Sequence, residues 1–252
     1  NMDDGALISG KQVIEGIVRD GNGVSKLSYS LDAGQNYIPL SLKYDKKTAA
    51  SSFKFDLDTR KMPEGPTVCW FKAVDTLGAE GVSTFLFFID NTAPVVDFFY
   101  PSPSDSVGSV FGVAGSASDS VDLESVSWRM GNQTGTFELV KGNPYWVKEF
   151  DVSGASNKTE TVEITAKDVA GNITTVTRAI KIDKSLDAPR LTIVQPVANT
   201  VADDTVYLAG SVESVFGVSE IRYKLDKEEE KVVPVSMNVF GIPITDISSG
   251  MH

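Results

Sequence analysis

Pro94-Val-Val-Asp-Phe-Phe-Tyr-Pro101 overlays Pro189-Arg-Leu-Thr-Ile-Val-Gln-Pro196 without a gap. Each stretch follows a short polar linker, Asp90-Asn-Thr-Ala-Pro94 in the first case and Asp183-Lys-Ser-Leu-Asp-Ala-Pro189 in the second. The chain is therefore repetitive, and the repeat sets the frame in which the remaining residues are read.

Working outward, Gly115-Ser-Ala-Ser-Asp119 falls on Gly16-Ile-Val-Arg-Asp20, which places Leu123, Val126 and Trp128 on Val24, Leu27 and Tyr29. From Gly210 the same frame puts Val218, Ile221 and Tyr223 in those slots. Ala73-Val-Asp75-Thr-Leu-Gly78 matches Ala166-Lys-Asp168-Val-Ala-Gly171. The period is about 95 residues, the size of one small β-sandwich. The expected domains are 1–90, a repeat lacking its first strand; 94–183, a complete repeat; and 189–252, a repeat lacking its last two strands. The chain opens with Asn1-Met2 inside a repeat, which predicts a fragment of a longer protein.

Within each copy the apolar residues alternate. Leu27, Tyr29 and Leu31 share a face, as do Phe53, Phe55 and Leu57, and Cys69, Phe71 and Ala73. Turn residues recur every roughly 8–12 positions, and no long 3.6-residue period competes, so the pattern predicts all-β sandwiches. Val82–Ile89 is nearly all apolar and predicts a strand covered on both faces or lying at a domain contact. A strand is also expected over Phe137–Val140. Trp128 shares its slot with Tyr29 and Tyr223 and is expected to fill the core.

At 41% apolar residues the chain can bury cores. Its net charge of −11 argues against nucleic acid, which needs clustered Lys and Arg, and against an anionic membrane surface. No run of roughly 18 apolar residues is present to span a bilayer. With one cysteine, Cys69, no intrachain disulfide can form, and its alternation with Phe71 predicts a buried, inert thiol. The single histidine is His252, so nucleophilic triads and His-rich metal sites are excluded.

The linker Ile89-Asp-Asn-Thr-Ala-Pro94, the entry Gly115-Ser-Ala-Ser-Asp119 and the closing Thr165-Ala-Lys-Asp-Val-Ala-Gly-Asn172 resemble the bacterial immunoglobulin-like (Big-type) repeats of surface and secreted proteins. The family's Asp-x-x-Gly-Asn element is complete only in the middle copy; the first has Gly78-Ala79. The resemblance implies tandem immunoglobulin-like sandwiches without catalytic activity. They would act as a spacer, adhesive stalk or accessory module outside the bacterial cytoplasm, at the cell surface, secreted or in the periplasm. The expected partners are other domains of the same longer chain and a protein or glycan ligand, with no direct membrane insertion.

Two residue sets could carry binding. Asp75 and Asp168 lie in the turn before the last strand, and Asp90 and Asp183 at the exits of copies one and two. Hard cations take six to eight oxygens, so turns meeting at a domain junction could hold calcium there. The competing reading is that each Asp caps its own backbone. Asp20, Asp119 and Asp122 occupy another turn. Trp70 points away from Cys69 and Phe71, and Trp146 lies in a strand of mixed polarity; exposed, they would stack on a sugar or anchor a protein. That arrangement would suit an accessory carbohydrate-binding module of a secreted glycoside hydrolase. Paired carboxylates could in principle hydrolyse a glycoside, but that is not expected, since none reads from sequence as lying in an apolar, pocket-like context.

Overall fold

A computed structural model of the chain describes residues 1–201 and 204–252. By contacts it divides into two compact units. Asn1–Phe98, Gly115–Trp146 and Val162–Thr177 form the first, and Phe99–Ala114, Val147–Thr161 and Arg178–His252 the second.

In the first unit, a five-stranded sheet runs in the order Ala6–Ile8, Glu80–Ile89, Gly65–Asp75, Val24–Ser30, Ile38–Leu40. Its pairs are antiparallel except the short Ala6–Ile8, which runs parallel to Glu80–Ile89 with Ala6 opposite Phe87. A second sheet orders Lys11–Val18, Ala50–Asp58 and Lys43–Asp45, with Ile14 opposite Phe55. Ile8, Ile14, Leu57, Cys69, Phe87 and Ile89 are buried together, and Tyr29 stacks on Phe55 at 4.1 Å. Alternate side chains point to opposite faces of a strand, so the period-2 apolar pattern supplies this layer directly. Burial pushes the Cys69 thiol up to about 12, which keeps it protonated and unreactive.

The same unit holds Leu123–Met130, paired antiparallel with Gln133–Thr136 and with residues 162–168 of the strand Lys158–Asp168. Val126 and Met130 are buried on the face that Trp128 shares, and the Trp128 indole lies against its cross-strand partner Gly135. A Cβ at Gly135 would fall 2.7 Å from the ring, so only glycine leaves room for it.

In the second unit, Ser106–Val107 runs parallel to the end of Ile173–Ile182 with Val107 opposite Ile182, and Phe111 packs on Phe150 at 5.6 Å. Beyond the second linker, Arg190–Gln195, Val206–Glu213 and Val239–Ile244 form an antiparallel sheet. Ile221–Tyr223 pairs with Lys231–Val233, and Val212, Ile221, Val233 and Phe240 make the local core. The architecture is all-β, tandem immunoglobulin-like β-sandwiches. Both strands that open with the matched Pro-to-Pro stretches end at a cis X–Pro bond, Tyr100–Pro101 and Gln195–Pro196.

Three expectations are corrected. Of the two readings of the strand Glu80–Ile89, cover on both faces is corrected and the domain contact is left untouched: Phe87 and Ile89 are buried, while Val82 is 57% and Phe88 37% exposed. Phe137–Val140 is not a strand; the strand is the preceding Gln133–Thr136, and Val140 makes only an isolated bridge to Asn143. Trp128 is half-buried rather than fully enclosed.

Candidate metal centre

The closing turn of the middle copy is built by its aspartate. Asp168 is fully buried; its Oδ1 accepts the N–H of Asn172 (2.8 Å), and its own N–H donates to the Asn172 carbonyl (3.1 Å). Gly171 closes the turn with a φ of 97°, a conformation that favours glycine. Asp168 Oδ2 accepts from the Asn172 side-chain amide at 2.8 Å.

Asp119 opens the turn that follows Val110–Ser118, so the expected entry Gly115–Ser118 is strand. Its Oδ1 accepts the N–H of Val121 (2.8 Å), an Asx turn. Asp90 follows Glu80–Ile89 directly. Its N–H donates to the Ile8 carbonyl (3.0 Å), and its Oδ1 accepts the N–H of Thr92 (3.1 Å). Asp90 is only 3% exposed. Burial pushes its carboxyl above the ordinary carboxylate range, and the charges of Asp119, Asp168 and Glu64 push the same way against the single Thr92 bond.

One carboxylate oxygen from each of Asp90, Asp119 and Asp168 lies within 4.8 Å of the other two. Two oxygens in this group, Asp90 Oδ2 and Asp119 Oδ2, are buried and accept no hydrogen bond. At that separation two like charges repel by about 3 kcal/mol at an effective dielectric near 20. Buried carboxylate oxygens without partners, in a group of three aspartates, are the kind of oxygen donor a hard cation takes. The group could hold a metal ion. An all-oxygen set without His or Cys does not suit zinc.

Of the four aspartates expected at a metal, Asp90 and Asp168 come together; Asp75 and Asp183 do not join them. Asp75 forms its own turn, accepting the N–H groups of Leu77 (2.9 Å) and Ala79 (2.8 Å) on Oδ1 and the Asn22 amide (3.3 Å) on Oδ2. Asp183 caps a 3₁₀ turn, Lys184–Asp187, accepting from the N–H (3.0 Å) and hydroxyl (2.7 Å) of Ser185, and these donors lower its carboxyl. The third member, Asp119, stands in the slot of Asp20 and reads from sequence only as a turn residue. Asn172 was legible as the one position where the middle copy completes the Asp-x-x-Gly-Asn element.

The two tryptophans divide. Trp146 is 4% exposed, wedged between Phe98 (5.3 Å) and Phe137 (5.5 Å), so it offers no face to a ligand. The mixed polarity of its strand was the alternation of Trp146 inward with Tyr145 and Val147 outward. Trp70 is half-buried between Ser30 and Thr84. His252 bonds to Asp226 (2.6 Å) and the Ser248 carbonyl (2.6 Å).

No protein-family model matches the chain, and no curated protein matches it. Among solved structures, the chain is similar to the fibronectin(III)-like modules of Clostridium thermocellum CbhA, with 16% identity over 73% of this chain and 93% of that one and a TM-score of 0.43. It is also similar to the tetra-tandem repeat in the extending region of a large adhesion protein, with 16% identity over 95% and 67% and a TM-score of 0.33. A third is a Ca²⁺-stabilized adhesin that helps an Antarctic bacterium reach out and bind ice, with 15% identity over 95% and 63% and a TM-score of 0.41. Among the described residues, no helix is long and apolar enough to cross a membrane.

Proposed function

We propose that the chain is a non-catalytic structural module of a bacterial extracytoplasmic protein. In this reading repeats at 1–90 (lacking its first strand), 94–183 (complete) and 189–252 (lacking its last two strands) serve as a spacer or contact surface, and the joint at Asp90 is a calcium site. The supporting observation is the pair of buried, unpartnered oxygens on Asp90 and Asp119 beside Asp168. These three residues come from the exit of copy one and from two turns of copy two, so a shared ligand would tie the linker to the next sandwich. A bound divalent cation would supply the positive charge that the three carboxylates lack. The chain's own atoms already hold the frame: Ser9 Oγ donates to the Ala170 carbonyl (2.9 Å), and Asn172 donates to the carbonyls of Asp90 (2.8 Å) and Thr92 (3.2 Å). The burial of Trp146 removes one of the two aromatics that a carbohydrate-binding role would use.

The test is thermal unfolding in excess calcium and in EDTA at fixed protein concentration. A ligand bound only by the native state adds about 2.7 kcal/mol at a hundredfold excess over Kd. The expected outcome is a rise of several degrees in calcium that is absent in Asp119→Asn. Coincident melts for the wild-type chain would reject the calcium joint.

A further inference from the structure

We propose that Asn172 is the positioning residue of this site: one side-chain amide fixes the Asp168 carboxylate and the backbone of the Asp90 linker together, so that the ligand set is preformed. The inference rests on the cation reading above. A group of acidic residues alone would not carry it; the independent observation is the Asp90 side chain, 3% exposed, whose Oδ2 is buried without a partner.

The amide nitrogen of Asn172 lies 2.8 Å from Asp168 Oδ2, 2.8 Å from the Asp90 carbonyl and 3.2 Å from the Thr92 carbonyl. Its two hydrogens are thus shared among the Asp168 carboxylate and two points on the linker backbone. The turn itself does not need this side chain. In copy one the same position is Ala79, and the turn closes alike: Asp75 Oδ1 accepts the Ala79 N–H at 2.8 Å, as Asp168 Oδ1 accepts that of Asn172 at 2.8 Å. The Asp75 N–H reaches the Ala79 carbonyl at 2.9 Å, against 3.1 Å for Asp168 and Asn172, and Gly78 has a φ of 93° against 97° for Gly171. Alanine gives the same backbone, so the Asn172 amide is surplus to the turn. What it adds is the bridge between Asp168 and the linker. It occupies Asp168 Oδ2 and leaves Asp90 Oδ2 and Asp119 Oδ2 open.

Residues that orient ligands by hydrogen bonding set affinity without touching the metal, and losing one costs about 10- to 100-fold. The experiment is calorimetric titration of the whole chain with calcium chloride at 25 °C, comparing wild type, Asn172→Ala and Asp119→Asn, with melts in EDTA as a second readout. Asn172→Ala installs the residue that the equivalent turn already accepts, so it should fold. The expected result is binding weakened by about 10- to 100-fold in Asn172→Ala and abolished in Asp119→Asn. A dissociation constant for Asn172→Ala within about twofold of wild type would overturn the assignment, since a twofold change is well under 1 kcal/mol. That result with an equal drop in melting temperature in calcium and in EDTA would make Asn172 a plain brace between linker and turn. A flat wild-type titration would reject the calcium reading itself, and this inference with it; the wild-type curve tells the two failures apart.

Discussion

The two linkers begin alike and end differently. At the first exit the Asp90 N–H donates to Ile8, and at the second the Asp183 N–H donates to Val107 (2.9 Å); each aspartate then accepts the N–H two residues on, from Thr92 and Ser185. Each linker also sends a side-chain oxygen back to the strand region behind it. Asn91 Oδ1 accepts the Gly10 N–H (3.0 Å), and Asp187 Oδ1 accepts the Ser109 N–H (2.7 Å). From there they part. Asp183 Oδ1 accepts both Ser185 donors while its Oδ2 is not buried without a partner, and the chain turns through Lys184–Asp187, with Lys184 held by Asn157 (3.0 Å) and by the Ser153 carbonyl (2.8 Å). Asp90 keeps one oxygen unspent and buried beside two further carboxylates. One backbone plan thus gives one joint whose aspartate stands apart from other carboxylates and one whose aspartate is buried beside two of them.

The largest effect expected from this contrast lies at the second joint. Ser109 is fully buried, and both its N–H and its hydroxyl bond to the Asp187 carboxylate. Asp187→Ala strands both groups. An unsatisfied buried donor costs about 1–3 kcal/mol, so chemical denaturation should show a loss of about 2–4 kcal/mol. The loss should be equal in calcium and in EDTA. A calcium-dependent loss would mean that the second joint also uses a cation and would erase the distinction.

At the first joint, a single substitution should change sign with the medium. Asp90→Asn keeps the shape but removes one of three clustered charges, so in EDTA it should stabilise the chain by about 1–2 kcal/mol. In saturating calcium it removes a ligand and should destabilise. Paired urea titrations check this. Destabilisation in both media would show that the Asp90 charge is satisfied by the protein alone.

How much of this was legible follows from what each signal encodes. Alternation at Leu27, Tyr29 and Leu31 or at Phe53, Phe55 and Leu57 fixes which side chains face inward, because strand geometry permits nothing else. The turn role of Asp75 and Asp168 was equally readable, since an Asx turn is local in sequence. The grouping of Asp90, Asp119 and Asp168 was only half readable. These residues are separated by whole strands, and which turns converge depends on how the linker is tied down. Repeat position placed Asp75 and Asp183 on an equal footing with Asp168 and Asp90. Only the structure shows that Asp75 and Asp183 stand outside the group, Asp75 bonded to Asn22 and Asp183 Oδ1 to Ser185. Trp146 misled for a related reason: exposed Tyr145 and Val147 on either side gave its strand a surface-like composition, while Phe98 and Phe137 enclosed the ring.

The smallest effect concerns acid. The Ser185 hydroxyl and N–H hold the Asp183 carboxyl below the ordinary carboxylate range. Its folded-state value therefore lies below its unfolded value, so the unfolded chain binds this proton first and the stabilisation is present in full above the ordinary carboxylate pKa. It is lost as pH falls through the depressed folded value. Ser185→Ala removes the first-named donor, so the Asp183 carboxyl should titrate at higher pH than in the wild-type chain, nearer an unperturbed aspartate. NMR of the side-chain carboxyl carbons across the acid range reads this directly. The cation has no part in it, so titrations in calcium and in EDTA should superimpose for Asp183. A calcium-dependent Asp183 curve would place this exit beside Asp90 as a second metal joint and contradict the separation of the two linkers.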